Sequence, residues 1–476
     1  TSLRLRVEGG GKGGAAALLA PDAASFPLTL DLALGKTRAT ARGGLAPPLD
    51  LGRIDAAFTL EGEDPGSLLA LFDLPALELP PYRLAGNLAK RGDTYGLSGL
   101  EGRVGDSDIA GELSVRLGGP RPSIGGNLHS RLLDFDDLGG LLGAEPATGA
   151  GETASGEQRA DAEDVARDDQ VIPDDKLDPA RWNRLDADVR LRADKVRAGS
   201  LPLDGFELGV SLQAGRLKVE PLVLSLGEGR LAGRAGLDAR RVPALADLDL
   251  DLSRLPVDRL LSRLAVDTGS LGTLSGRARG GADISGAGLS LAEILATADG
   301  ELTLLMEGGT INRRLVTALG FDLLRLLGGA LGFSPEQLEL RCALADLVAK
   351  DGVLTTRALA IDTPAGEIGG EGSLDLRTER LDLALLARPQ GGALPAAGRT
   401  GIRVTGTLAE PEIGINPAAL LARGAAAATL GVLLRPFSAI ASGVGGGGSG
   451  RGQGQGCAAL LDEEARRQGR PAGEGR

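Results

Sequence analysis

Along most of the chain, apolar and polar residues alternate one for one. The clearest run is 185–194, where Leu185, Ala187, Val189, Leu191 and Ala193 fall on one side. Asp186, Asp188, Arg190, Arg192 and Asp194 fall on the other. A period of two is that of a β-strand with one apolar face and one face in water. The pattern returns at 3–8, 28–34, 246–252, 338–344 and 381–385, so each of these segments is predicted to be a half-exposed strand. Glycines such as Gly205, Gly215, Gly227 and Gly229 punctuate the runs, at spacings expected for short turns in an antiparallel meander.

Helical spacing interrupts the strands at 65–74, 132–142, 257–264 and 291–298. A longer helix is predicted over 311–331, where Arg314, Asp322 and Arg325 form a narrow polar stripe on an apolar cylinder. Its expected place is against the sheet, which needs covering. For a further apolar stretch, 418–434, packing on the sheet and contact with a membrane surface are both open. Residues 144–181 abandon the alternation for Ala, Gly, Glu, Asp, Thr and Pro, the composition of a disordered acidic linker. The predicted organisation is a β-region at 1–143, this linker, a larger β-region at 182–420, and at 421–476 a helical then Gly-rich flexible tail.

Composition sharpens this picture. Glycine supplies 75 of 476 residues, more than twice the share of roughly 7% in an average protein. Aromatic residues reach only 2%, yet 42% of the chain is hydrophobic, enough to fold. The glycines keep no period of three, which excludes collagen. The 52 basic and 64 acidic side chains give a net charge of −12, and no basic tract is present. Nucleic acid is therefore not an expected partner. No apolar run is long enough to span a bilayer, and no signal peptide follows Thr1. The sequence reads as a mature or truncated product.

Few residues carry recognisable chemistry. His129 is the only histidine, which rules out metal sites needing two imidazoles; in a strand without a neighbouring nucleophile elbow it receives no catalytic role. Gly9, Gly11 and Gly14 match a dinucleotide-binding spacing, but no alternation of strand and helix supports it. Gly35-Lys36-Thr37 lacks the upstream glycine of a phosphate loop, and Gly280-Gly281-Ala282-Asp283 has no tandem copies of a calcium-binding repeat. The first two read as turns, and the third is not taken as a calcium site. No enzyme, metal or cofactor is expected. Cys342 and Cys457 are either a structural disulfide, in an oxidising compartment, or one buried and one exposed thiol.

The order of features from Trp182 onward resembles the C-terminal region of the AsmA-like family of Gram-negative envelope proteins. The carriers are LDADVRLRADKVRAGSLPLDGFELGVSLQAGRLKVEPLVLSLGEGRLAG (185–233), GELTLLMEGGTINRRLV (300–316), LELRCALADLVAKDGVLTTRALAIDT (338–363), EIGGEGSLDLRTERLDLALLARP (367–389) and VTGTLAEPEIGINP (404–417). The resemblance implies a mainly β fold with a few short helices: an elongated, curved, antiparallel meander sheet, forming a U-shaped groove with an apolar inner face. About two dozen strands at roughly 4.8 Å would make it about 115 Å long. It further implies a non-enzymatic protein of the periplasm, anchored to the inner membrane by an N-terminal helix not present here. Such a protein would carry or bridge phospholipid between the inner and outer membranes in outer-membrane biogenesis. Leu185, Val189, Leu191, Leu217, Val219, Leu248, Leu250 and Leu252 are the expected lipid-groove residues; packing against the protein's own helices is the alternative for each. The competing function is a periplasmic scaffold or regulator of outer-membrane protein assembly, with envelope-assembly proteins as partners and no lipid.

Overall fold

The computed structural model describes residues 3–9, 26–45, 52–63, 80–135, 137, 171, 172, 174, 176, 182–198, 201–258, 274–312, 337–364, 366–389 and 401–415. They are overwhelmingly strands of an open, mostly antiparallel sheet that does not close into a barrel. The chain divides into two compact units, one of Thr1–Leu250 with Ser285–Ile294 and one of Asp251–Ile284 with Leu295–Arg476.

In the first unit, β1 (Leu3–Gly9), β2 (Phe26–Leu34), β3 (Thr37–Leu45), β4 (Arg53–Gly62), β5 (Tyr82–Arg91), β6 (Thr94–Val104), β7 (Ser107–Arg116) and β8 (Ser123–Ser130) follow one another as antiparallel neighbours. Two short strands, β9 (Leu133–Asp134) and β11 (Val196–Ala198), flank β10 (Asp186–Ala193) in sequence. Then come β12 (Leu201–Leu203), β13 (Gly205–Gln213), β14 (Arg216–Leu226), β15 (Gly229–Asp238) and β16 (Ala244–Pro256), the last continuing beyond Leu250. One pairing departs from the antiparallel meander: β10 lies parallel to β8, with Val189 opposite Gly126 and Leu191 opposite Leu128. The chain then returns to antiparallel pairing through β13, β14 and β15.

A separate three-stranded sheet, β12-β11-β9, stands at one end of these strands. Its β9 and β11 are also parallel, Leu133 opposite Val196. Helical spacing predicts a helix over 132–142, but the start of that segment is β9, because Leu133 and Phe135 donate backbone hydrogen bonds to Lys195 and Arg197 carbonyls at 2.9 and 2.8 Å. Leu133, Val196, Leu203 and Phe206 are buried here, and the Phe135 and Phe206 rings meet edge to face at 5.0 Å.

The remaining strands are β17 (Leu274–Gly288), β18 (Asp299–Asn312), β19 (Gln337–Glu339), β20 (Cys342–Lys350), β21 (Val353–Thr363), β22 (Gly366–Asp375), β23 (Arg380–Pro389), β24 (Gly401–Gly406) and β25 (Pro411–Ile415). In the second unit β18 pairs with β20, and β20 to β25 follow as antiparallel neighbours. The strand expected at 338–344 is two strands, β19 and β20, separated by Leu340 and Arg341. The break answers Gly308 and Gly309 of β18, both at positive φ, where Gly308 N–H donates to Arg341 O and Leu340 N–H to Gly309 O. Ile311 and Asn312, expected to begin the long helix, end β18; the rest of that helix lies outside the described residues. So do the expected helix at 65–74 and most of the acidic linker.

The one helix of the described residues is α1 (Leu291–Ala296), within the expected 291–298. Its start is a capping box: Ser290 Oγ accepts from Glu293 N–H at 3.0 Å, and Glu293 Oε2 accepts from Leu289 N–H at 2.7 Å. No described helix is long and apolar enough to cross a membrane.

Candidate functional site

The strand registers decide which side chains share a face. Starting from Leu30, Leu32 and Leu34 of β2, the same side of the sheet carries Ala39 and Ala41 of β3, Ile54, Ala56, Phe58 and Leu60 of β4, and Leu84 and Leu88 of β5. It continues through Leu97 and Leu100 of β6, Ile109, Leu113 and Val115 of β7, and Ile124 and Leu128 of β8. The parallel join transmits it intact to Val189 and Leu191 of β10. From there it runs to Leu208 and Val210 of β13, Leu217, Val219 and Leu222 of β14, and Leu231 and Leu237 of β15. Leu250 of β16 reaches the same face, since its side chain lies against Gly233.

Seven of the eight expected groove residues thus belong to one apolar side of the first unit. Val189, Leu191, Leu217, Val219 and Leu250 are placed by register or contact, Leu185 by continuing the alternation just before β10, and Leu248 by alternation from Leu250. Leu252 follows Leu250 on β16 but belongs to the second unit. All eight are half-buried. From β2 to β16 the apolar side extends about 50 Å across the strands at roughly 4.8 Å per strand.

Glycine explains how shallow this apolar layer is. A Cβ on Gly126 would come within 2.6 Å of Leu113 Cδ2 and 2.4 Å of Glu112 O, and one on Gly233 within 2.7 Å of Leu250 Cδ2. The leucines lie down over neighbouring glycines instead of standing up into a deep core. At Gly126 and Gly233 glycine therefore serves packing, not turn formation.

The opposite side is polar and bears cross-strand pairs: Arg91 grips Asp55 with two hydrogen bonds at 2.8 and 2.9 Å, Thr40 and Thr59 hydroxyls meet at 2.6 Å, and Arg234 reaches Asp249 at 2.7 Å. His129 is on this side, its Nε2 3.1 Å from Asp194 Oδ1, both side chains exposed. The Gly35-Lys36-Thr37 segment is the β2–β3 turn, with Gly35 at φ 60°. Around it lies a cleft of about 530 Å³ lined by Lys36, Arg38, Glu61, Glu63, Arg83 and Tyr82 among others. Lys36 pairs with Glu63 there, and Glu61 with Arg38 at 3.5 Å and Arg83 at 3.1 Å, all well exposed. A solvated ladder of this kind contributes little energy and no catalytic constellation.

One end of the apolar side is closed. Thr37, Tyr82, Ser107 and Ser130 sit there, all buried; Thr37 and Tyr82 hydroxyls meet at 3.2 Å, and Ser107 Oγ accepts from Asp134 N–H of β9 at 2.8 Å. An ionic clasp holds the small β9–β11–β12 sheet. Buried Asp134 pairs with Arg197, which also approaches Asp106 at 3.5 Å. Asp137 accepts from Ser107 Oγ, Ser107 N–H and Asp106 N–H at 2.5, 2.8 and 3.0 Å. Burial pushes the Asp137 carboxyl up to about 6, against those hydrogen bonds and with help from the neighbouring Asp134 charge. Burial also acts upward on Asp108, but donors from Leu132 N–H, the Arg131 guanidinium, Ser130 Oγ and Arg131 N–H outweigh it and hold the group at about 2. Period-two reading missed this clasp, because strands of two or three residues leave no period to count.

In the second unit, Cys342 is buried with Leu305 and Leu344, and it is disulfide-bonded. Cys457 lies outside the described residues. Gly280 to Asp283 are part of β17, where a Cβ on Gly280 would strike Thr303 O at 2.0 Å, so close strand packing explains this glycine. Gly9 ends β1, while Gly11 and Gly14 lie outside the described residues. Among the described residues no three His, Cys, Asp or Glu side chains gather as a metal site.

The AsmA family model matches residues 75–359. The chain is similar to the AsmA family protein YhjG of Escherichia coli (strain K12), with 30% identity over 440 residues, 91% of this chain. It spans 63% of that relative's length. No solved structure matches it. The family is one of envelope proteins and is not a known enzyme family. With its family model covering more than half the chain, and a relative matched over nearly all of it, the protein belongs to the AsmA family.

Proposed function

We propose that this chain is a non-enzymatic periplasmic protein that carries phospholipid acyl chains along its apolar sheet face, bridging inner and outer membranes in outer-membrane biogenesis. The observation that supports this most is the continuity of that face from β2 to β16, on which most leucines and valines are only half-buried while Leu34, Leu100 and Leu212 are buried. Each acyl methylene placed against such a face is favoured by about 0.8 kcal/mol. The row Ala56, Leu88, Leu97 and Leu113 runs on across the strands through Gly126 to Val189, Val210 and Val219. A bound chain that moves by one strand along this row meets another small or apolar residue, so sliding meets no large step. No acid, base or nucleophile is needed. The family's envelope location supports the periplasmic setting, and attachment to the inner membrane belongs to this proposal.

The test is native mass spectrometry of the protein purified from a bacterial envelope, beside a periplasmic control of similar size. Stoichiometric phospholipid is expected, and its loss in Val189→Asp and Leu250→Asp variants that keep the strand signature in circular dichroism. Lipid no higher than in the control, or unchanged in both variants, overturns the reading in favour of a scaffold or regulator of outer-membrane protein assembly.

A further inference from the structure

Among the described strand positions on the apolar side of the first unit, from β2 to β16, one side chain is charged: Lys90, the penultimate residue of β5. Registers place it between Ile54 of β4 and Tyr95 of β6, in line with Val115, Ile124 and Ala187. Its ammonium stands over the Tyr95 ring, 5.5 Å from the centroid. Both residues are half-buried. The next residue, Arg91, faces the opposite side, where it is paired with Asp55. Lys90 and Tyr95 also mark the end of the strands opposite Thr37, Tyr82 and Ser107, where the apolar side is closed.

Leu88 and Leu97, directly opposite each other, form the adjoining lane, and Leu113 extends it. A cation and an amphipathic aromatic ring at the border of an apolar lane match one chemistry: an acyl chain ending in an anionic headgroup. We infer that Lys90 and Tyr95 dock the phosphate of a glycerophospholipid whose tails lie over Leu88, Leu97 and Leu113. This rests on the lipid-carrying reading above and adds to it a fixed headgroup position and a preference for phosphate-bearing lipids. The ammonium would donate to a phosphate oxygen while the ring keeps it at the border.

The full chain would be incubated with mixed vesicles of phosphatidylglycerol and diacylglycerol of matched chains, and bound lipid quantified by mass spectrometry. Phosphatidylglycerol should be favoured by about tenfold, the scale of one hydrogen bond to a charged group. Lys90→Met should abolish that preference while leaving diacylglycerol uptake unchanged, and Lys90→Arg should retain it. Lys218→Met, which removes a polar-side lysine paired with Glu220, should behave like the unaltered protein. A preference that survives Lys90→Met, or none in the unaltered protein, overturns the headgroup position alone. Uptake of neither lipid overturns the lipid-carrying reading and this inference with it.

Discussion

Strand β4 of the first unit alternates apolar with mainly polar residues, strand β20 of the other is mainly apolar on both sides, and the two meet different surroundings. In β4 half-buried Ile54, Ala56, Phe58 and Leu60 alternate with exposed Arg53, Asp55, Ala57 and Thr59. In β20 buried Cys342, Leu344 and Asp346 alternate with Ala343, Ala345 and Leu347, which are themselves half-buried. Its partner in the buried cluster, Leu305 of β18, is completely inaccessible. Even the carboxylate of Asp346 is enclosed, accepting from Thr303 Oγ1 at 3.2 Å with Arg357 at 3.6 Å. Alternation reports that a strand has two unlike sides; what covers either side is settled by its neighbours.

The contrast is sharpest in its energetics. Leu305→Ala should cost about 2–5 kcal/mol by opening a cavity in a closed cluster, while Leu60→Ala on the half-buried face should cost about 1 kcal/mol or less. Urea unfolding of each variant measures both, and equal costs would erase the distinction between core and open face. Next in size is Gly126→Val, which must displace the Leu113 side chain and crowd Glu112 O. Its expected penalty is about 1–3 kcal/mol, read from the same unfolding curves. A neutral result would show that the leucines do not lie over the glycines.

The smallest effect concerns the closed end. Asp137 has a folded-state pKa of about 6, above its ordinary value of 3.8, so the folded form binds the proton more tightly. Its contribution to stability is fully present below 3.8 and is lost as pH rises through about 6. Asp108, held near 2, keeps its contribution throughout that window. Melting temperature should therefore rise when pH is lowered from 7 to 5, and that rise should shrink in Asp137→Asn. An identical pH response in the two proteins would remove Asp137 from the account.

Much of this was legible in the alternation. The strands at 28–34, 246–252 and 381–385 lie inside β2, β16 and β23, and the expected groove residues of the first unit share one side of the sheet. The break at Leu340 and Arg341 was not legible, because it is imposed by two glycines on the neighbouring strand. Lys90 escaped notice for another reason. The alternating runs read from the sequence do not include 82–91; once β5 is a strand, Lys90 shares the side of Leu84 and Leu88, and the register sets Tyr95 beside it. The parallel pairing of β8 with β10 was equally hidden, since an alternating strand carries no mark of its partner's direction.

That parallel seam bears on how the first unit assembles. Arg91 and Thr94 are partners across a hairpin, whereas Ser123 finds its partner in Asp186, far along the chain. Hairpins close small loops and zip quickly; a distant partner imposes a larger loop-closure entropy before any ladder bond compensates for it. β1 to β8 can therefore form as a run of local steps as the chain emerges from synthesis, with the edge of β8 waiting for β10. The rate at which this edge is covered sets how long an unpaired strand is offered to other chains.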